Sequence, residues 1–534
     1  MCLIFGILSR KDGEVFPFVN PMLNAFSYKP KKSWLVTPGA GCMFVKEVHP
    51  ETQAPMGKLA LGQISSEKPC LSLGDKLALL CEGRIYDDSP IKLLEEKYRG
   101  DLSEALGGTL GLLDGEYALA ASDGSKIVVA RDSLGRKPVF YDQNEEIIAF
   151  ASEKKVLWGI GLRNVKPLRA GTLAFLGENG IAIGETHKLG RIGIEINNLD
   201  TAVNEYERLL RIGVEKRLKD VERVGVLLSG GVDSCLLTQL VSEIAADRGI
   251  EVIAYTAGMP NAIDILYAER FAQELGLNHK VRRLELSEVE SYLPQVIRVV
   301  EERDFVQIET GIGVYAAEEM AAQDGIKVIF SGQGPDELWG GYRWYPQVIA
   351  EEGYEGLLQR MWGDLERADI ETFDRENKIA VAHGIEVIFP FADTQVVKFA
   401  MSVSPELKIN SPQDNLGKRP HRELAERVGV PQEFAQRGKD AAQHGTGIHE
   451  VLDEIARRNG FDPDLVKRIG YQSEEVSSEK LASSSRYGYR YAAKGLWEVS
   501  DYIQLFLDTM AYRNNLLNRK ERTVIENLMQ KLSS

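Results

Sequence analysis

Ser229-Gly230-Gly231-Val232-Asp233-Ser234 follows the apolar run Val224–Leu228 and opens a stretch whose apolar residues, Val232, Leu236, Leu237, Leu240 and Val241, recur at helical spacing. A buried strand, a glycine turn and a helix in that order admit few folds. They predict a unit of a layered α/β structure with a parallel sheet. The next unit repeats the order: Val252–Thr256 reads as a strand, and Ile265, Ala268, Phe271, Ala272 and Leu275 as the helical face behind it. Lys327–Phe330 is a later strand, and beyond about Gly384 the pattern is mainly helical.

The turn itself carries chemistry. Adjacent glycines let backbone N–H groups close on an anion, and the following helix offers its positive end. Ser229 and Ser234 add hydroxyl donors, and Asp233 is a hard oxygen ligand suited to Mg²⁺ beside pyrophosphate. The string lacks the Lys-Ser/Thr of a Walker loop and the glycine spacing of a dinucleotide loop.

Upstream the texture differs. Leu77–Leu80, Tyr117–Ala121, Ile127–Ala130 and Ile147–Ala151 are short apolar runs bounded by turn residues, so strands dominate up to about residue 185. Thr201–Lys216 reads as a charged helix. A boundary is therefore expected within Leu189–Asp200, giving domains 1–190 and 200–534, as suits a chain of 534 residues. The serine-rich stretch Ser473–Arg486 reads as an exposed loop. The net charge, 64 − 79 = −15, argues against nucleic-acid or anionic-membrane partners. Five cysteines without metal-ligand spacing fit a reducing compartment. No apolar run reaches the roughly 18 residues of a membrane span, and the start, Met1 to Glu14, lacks the basic lead of a signal peptide. A cytoplasmic protein is expected.

A second loop, Phe330-Ser331-Gly332-Gln333-Gly334-Pro335-Asp336-Glu337-Leu338-Trp339-Gly340-Gly341-Tyr342, again ends a strand with small residues and an acid. In a doubly wound sheet, loops at the carboxyl ends of the strands line the ligand crevice. The first loop resembles the pyrophosphate loop of ATP pyrophosphatases. Both loops together resemble the synthetase domain of glutamine-dependent asparagine synthetases. So do Gly417-Lys418…Arg422-Glu423, Arg437-Gly438-Lys439, and His383-Gly384-Ile385-Glu386-Val387 ahead of Pro390-Phe391-Ala392-Asp393.

That resemblance implies ATP and Mg²⁺ as cofactors. It implies ATP contacts at Leu227, Ala257, Ser331 and Gly332, and a pyrophosphate cradle of Ser229, Gly230, Gly231, Val232, Asp233 and Ser234. Asp233 and Asp336 would carry the metal. Lys439 matches a lysine that neutralises charge as the acyl phosphate forms and collapses, and Gln333 and Glu386 join it as catalytic candidates. Gln333 stands where the family favours Glu, and Ile388 where it favours Arg. A glutamine can exchange hydrogen bonds there but cannot act as a carboxylate base.

In the first half, Cys2 follows Met1, so removal of Met1 would leave a thiol beside a free α-amino group able to act as its base. Cys2-Leu3-Ile4-Phe5-Gly6, Leu113-Asp114-Gly115-Glu116-Tyr117-Ala118, Ala130-Arg131-Asp132-Ser133-Leu134-Gly135-Arg136-Lys137-Pro138 and Ala151-Ser152-Glu153-Lys154-Lys155 resemble N-terminal-nucleophile glutamine amidotransferases. Such domains hydrolyse glutamine through a thioester and pass ammonia to a synthetase site. Glu82-Gly83-Arg84-Ile85-Tyr86 departs from the family's Asn-Gly-Glu-Ile-Tyr, and Leu61-Gly62-Gln63-Ile64 from its Arg-Leu-Ser-Ile. An ionised Glu82 cannot donate to an oxyanion, and Arg84 leaves Asp114 as the acid for the substrate ammonium. Asp114, Gly83 and Arg84 are the glutamine-binding candidates, with ammonia expected to outperform glutamine.

The expected fold is α/β multidomain: an αββα Ntn-hydrolase-like sandwich, then a doubly wound parallel-sheet ATP-pyrophosphatase domain with a helical carboxyl-terminal region. The expected partners are small molecules (ATP, aspartate, glutamine or ammonia), without nucleic acid or membrane and with a homodimer left open. The resemblance implies an ATP-dependent ligase that forms a β-aspartyl adenylate and then asparagine. Two alternatives stay open. One is adenylation of another carboxylate, or capture by ammonia or an internal amine as in β-lactam synthetases. The other is a nucleotide-binding descendant without turnover.

Overall fold

Along β1 (Cys2–Ser9) the side chains divide by parity: Leu3, Phe5 and Ile7 enter one apolar core, Ile4 and Leu8 another. Alternate strand residues face opposite sides of a sheet, so β1 is buried on both faces. The computed structural model describes every residue except 1, 12, 29–31, 39–42, 49–56, 66–70, 74–76, 87–88, 440–441, 472–499, 518 and 534. The serine-rich stretch 473–486 thus lies outside the described residues.

The first unit comprises Met1–Gly190 and Thr372–Gly384. One antiparallel sheet contains β1, β2 (Lys32–Pro38), β3 (Met43–Val48), β4 (Leu59–Ser65), β9 (Phe140–Gln143), β10 (Ile147–Ala151) and β11 (Lys166–Pro167), in the order β11-β9-β10-β1-β4-β2-β3. The other contains β5 (Leu71–Leu73), β6 (Ala78–Ile85), β7 (Gly115–Ser122), β8 (Ile127–Arg131), β12 (Thr172–Gly177) and β13 (Gly180–Glu185), in the order β13-β12-β8-β7-β6-β5. Ile4, Leu61, Leu80, Ala120, Val129 and Ile148 fill the space between the sheets. The helices Phe16–Ala25 and Lys154–Trp158 cover the outer face of the first sheet through Val19, Met22, Val156 and Leu157. The helices Pro90–Lys97 and Leu102–Leu110 cover the second through Leu94, Ala105 and Leu106. This is the expected αββα sandwich, and burial on both faces explains why its strands read as unbroken apolar runs.

The helix Phe373–Ala382, placed by the sequence reading within 200–534, counts with the first unit. Val381 enters the core of Leu3 and Phe5, Arg131 donates to Asp374 at 3.1 Å, and Lys137 donates to Asn377 at 3.1 Å. Nothing in the local sequence of a helix reveals which core its apolar side will meet.

The second unit comprises Arg191–Glu371 and Ile385–Ser534. Its five strands, β14 (Arg223–Leu227), β15 (Glu251–Gly258), β16 (Asn278–Arg283), β17 (Val328–Phe330) and β18 (Glu386–Ile388), are parallel in the order β16-β15-β14-β17-β18. The chain steps outward from β14 to β16 through the helices Val232–Ala246 and Ile263–Glu274. It then returns past Leu286–Val300 and Phe305–Gln323 to β17, on the other side of β14. Right-handed crossovers place these two helix pairs on opposite faces. The reversal between β14 and β17 is a topological switch point, where a doubly wound sheet opens its crevice. The predicted helical faces are buried at Val232, Leu236, Leu237, Leu240, Val241, Ile265, Ala268, Phe271 and Ala272. No helix among the described residues is long and apolar enough to cross a membrane.

Candidate active site

Val226 of β14 pairs with Phe330 of β17, so the loops that follow the two strands leave the sheet side by side. In the first, the Ser229 and Ser234 hydroxyls lie 3.1 Å apart, and Ser234 Oγ accepts from Ser229 N–H at 3.1 Å. Gly230 has φ +70°, and a Cβ there would stand 2.4 Å from Tyr267 Cβ, so the turn requires glycine on both counts. Arg437 braces the turn. Its guanidinium donates to Ser229 O at 3.1 Å and Asp264 at 2.8 Å, over the Tyr267 ring at 4.2 Å. A Cβ on Gly332 would lie 3.3 Å from Ser234 N, so the second loop presses directly against the first.

The two acids meet on one lysine. Lys418 Nζ lies 2.7 and 2.6 Å from the carboxylate oxygens of Asp233 and 2.7 Å from Asp336 Oδ1. Lys439 Nζ bonds Asp336 Oδ2 and sits 5.1 Å from the Tyr342 ring centre. His421 Nε2 stands 3.1 Å from Asp233 Oδ1, and its Nδ1 is 2.8 Å from the Tyr206 hydroxyl. Burial alone would raise Asp233, but Lys418 and His421 outweigh it and hold the carboxyl well below the usual range. Burial pushes Lys439 down to about 8 and moves His421 below its ordinary value.

The other candidates sit around this centre. Leu227 ends β14, Ala257 lies near the end of β15, and Val232 begins the helix after the turn. Ser331, whose N–H donates to Ile388 O at 2.9 Å, Gly332 and half-buried Gln333 form the second loop. Glu386 pairs with Val328 at the amino end of β18, two positions before the crevice end.

In the first unit, Cys2 pairs with Ser65 and is buried. Its Sγ accepts from Gln63 Nε2 at 3.2 Å and lies 3.5 Å from Ser65 Oγ. The thiolate is the form of Cys2 competent as a nucleophile. Glu82 is buried and bonded to Ser152, whose hydroxyl also meets the backbone of Ile4. Burial pushes Glu82 up to about 8. Burial thus favours the protonated carboxyl, a form that can donate a hydrogen bond. Arg84 stands opposite Glu116 across β6 and β7, so the two share one face of the sheet. Glu116 is buried and accepts from Tyr86 at 2.7 Å. Asp114 is thus not the sole acid near Arg84. Gly83 has φ +95°.

The family model for asparagine synthase matches residues 205–358 and 349–510, more than half of the chain, and that for the glutamine amidotransferase domain matches 61–159. The chain belongs to the asparagine synthase family. It is 31% identical over 469 residues to a Methanocaldococcus jannaschii protein named, provisionally, as a glutamine-hydrolyzing asparagine synthetase, covering 75% of this chain and 84% of that one. It is 27% identical over 372 residues to asparagine synthetase B of Escherichia coli, covering 66% and 65% of the two chains. It is 28% identical over 371 residues to the human glutamine-hydrolyzing asparagine synthetase, covering 63% and 64%. The matches to the last two span just under two thirds of those proteins.

For a member of this family, the donor set fits the expected metal. Asp233 and Asp336 present hard oxygens that converge on one point, marked by Lys418 Nζ. Mg²⁺ is commonly held by one or two carboxylates together with substrate phosphates and water. No group of three or more His, Cys, Asp or Glu that could hold a metal occurs among the described residues. Sequence reasoning gave no role to Lys418, His421 or Arg437. Lys418 is only 1% exposed, and a buried lysine with two carboxylate partners is a tertiary fact. The one available signal was its place in the Gly417-Lys418…Arg422-Glu423 match.

Proposed function

We propose that this chain is a glutamine-dependent, ATP-driven amide ligase that converts aspartate to asparagine, with AMP and pyrophosphate as products. The observation that carries the reading is the convergence of two strand-end loops, two carboxylates and two lysines at the switch point of a parallel sheet. Family membership and the amidotransferase domain support it.

In the proposed reaction, an oxygen of the aspartate side-chain carboxylate attacks the α-phosphorus of ATP, and the bond to pyrophosphate breaks. The Ser229–Ser234 backbone and hydroxyls hold the departing pyrophosphate, with the helix Val232–Ala246 offering its positive end. Leu227, Ala257, Ser331 and Gly332 contact the nucleotide. Lys418 and Lys439 neutralise charge that grows as pyrophosphate departs. Asp233 and Asp336 would hold Mg²⁺, which supplies further charge neutralisation when bound. Ammonia then attacks the activated carbonyl carbon, the bond to AMP breaks, and a proton leaves the nitrogen. Gln333 and Glu386 are proposed to hydrogen-bond reacting groups at this step.

Ammonia would come from glutamine. The Cys2 thiolate attacks the carboxamide carbon and releases ammonia, and water hydrolyses the thioester to glutamate. Protonated Glu82 and the backbone at Gly83 are proposed to stabilise the oxyanion, and Asp114, Glu116 and Arg84 to hold the amino-acid ends. A cytoplasmic location fits a ligase of free amino acids and ATP.

The test is pyrophosphate release by the purified, reduced chain with ATP, Mg²⁺ and aspartate, against a panel of other carboxylic acids. Aspartate-specific release with asparagine formed supports the reading. Release with another acid replaces the acceptor, and no release with any acid overturns the ligase assignment.

A further inference from the structure

His421 is fully buried, and its two polar contacts point in opposite directions: Nδ1 to the Tyr206 hydroxyl at 2.8 Å and Nε2 to Asp233 Oδ1 at 3.1 Å. The imidazole is packed by Phe391, with ring centres 5.3 Å apart, and Tyr206 lies against Trp339 at 4.5 Å. With the Tyr206 hydroxyl donating to Nδ1, the neutral ring carries its proton on Nε2, which stands 3.1 Å from Asp233 Oδ1.

The other partner of Asp233 is different in kind. Lys418 has a four-torsion side chain whose ammonium is already shared between Asp233 and Asp336. An incoming phosphate competes for its ammonium, whereas His421 has two side-chain torsions and a walled ring. After Lys418 turns toward an anion, His421 still defines which way the carboxylate faces. We propose that Tyr206 and His421 form a rear clamp that fixes the Asp233 carboxylate for binding magnesium pyrophosphate. This rests on the reading above, in which the Ser229–Ser234 loop holds pyrophosphate. His421 is a positioning residue, because it acts through Asp233.

Isothermal titration of the full chain with inorganic pyrophosphate at fixed Mg²⁺ reads the clamp without turnover. Asp233→Asn is expected to weaken binding by more than tenfold. His421→Leu should weaken it by about tenfold, as for the loss of a hydrogen bond to a charged group. His421→Asn, whose amide can still donate, should recover part of that loss. Tyr206→Phe should weaken binding in the parent chain and have no effect in the His421→Leu background, since it acts through the imidazole. Adenosine binding should be unchanged throughout.

Parent-like binding in His421→Leu, with Asp233→Asn impaired, overturns the clamp and leaves the pyrophosphate reading intact. Equal binding by the parent and Asp233→Asn overturns that reading and the clamp with it. If His421→Leu melts early, Tyr206→Phe and His421→Asn decide: parent-like affinity in both overturns the clamp, and graded weakening upholds it.

Discussion

Lys418 Nζ lies 2.6 Å from Asp233 Oδ2, although 184 residues separate them along the chain. The same ammonium reaches Asp336, so one buried cation keeps two carboxylates from repelling each other. Lys418→Met removes it. Breaking a buried charge pair on one side costs about 3–5 kcal/mol, and the exposure of Asp233 puts this case near the lower figure. The expected outcome is destabilisation by about 2–3 kcal/mol in denaturant titration, with pyrophosphate release slowed at least about tenfold. Parent-like stability would show that the carboxylates need no counter-charge.

Arg437 holds the pyrophosphate turn through Ser229 O while anchored on Asp264 and the Tyr267 ring. Arg437→Met keeps much of the apolar packing and removes the donors. ATP affinity should fall about tenfold, the cost of a charge-assisted hydrogen bond and a loosened loop. Hydrolysis of glutamine to glutamate serves as the internal control. Unchanged nucleotide affinity would show that the turn keeps its shape without the brace.

Glu82 gives a pH dependence with a definite sign. Its carboxyl is pushed up to about 8 by burial, against about 4.3 in an unfolded chain. The folded chain therefore holds a proton that the unfolded chain has lost between those values. Its stabilising contribution is complete below about pH 4.3 and is lost as pH rises through about 8. Glu82→Gln, neutral at every pH, should remove that component. Its stability relative to the parent should rise by on the order of 1–3 kcal/mol between about pH 5 and pH 9. A constant difference between the two proteins would mean that Glu82 is ionised throughout.

Cys2 Sγ is buried beside Gln63 Nε2 and Ser65 Oγ. Alkylation of Cys2 should therefore stop glutamine-dependent amide formation and spare ammonium-dependent formation. Cys2→Ala should abolish the first and spare the second. Glutamine-dependent turnover by Cys2→Ala would contradict this. The protonated Glu82 and the extra acid Glu116 also bear on the glutamine pocket. With both in place glutamine is expected to serve as nitrogen donor, an outcome to be measured against ammonium at equal concentration.

Much of the architecture was legible along the chain because it follows from local rules. Apolar runs bounded by turn residues marked β7, β8, β10, β14, β15 and β17, and helical spacing marked the buried faces after β14 and β15. The Ser229–Ser234 turn was legible for the same reason, since glycine freedom, a helix start and hydroxyl donors all lie within six consecutive residues. What could not be read was which distant groups meet. Lys418, His421 and Arg437 lie in a helical region that reads as ordinary surface charge, yet each reaches the loop after β14. Phe373–Ala382 has an apolar side whose destination is set by the first unit's core. The protonation of Glu82 depends on its loss of water, a property of the packed surroundings and not of the residue. Local backbone preference and hydrophobic period are written residue by residue. Charge pairing and desolvation exist only after segments far apart in the chain have closed on one another.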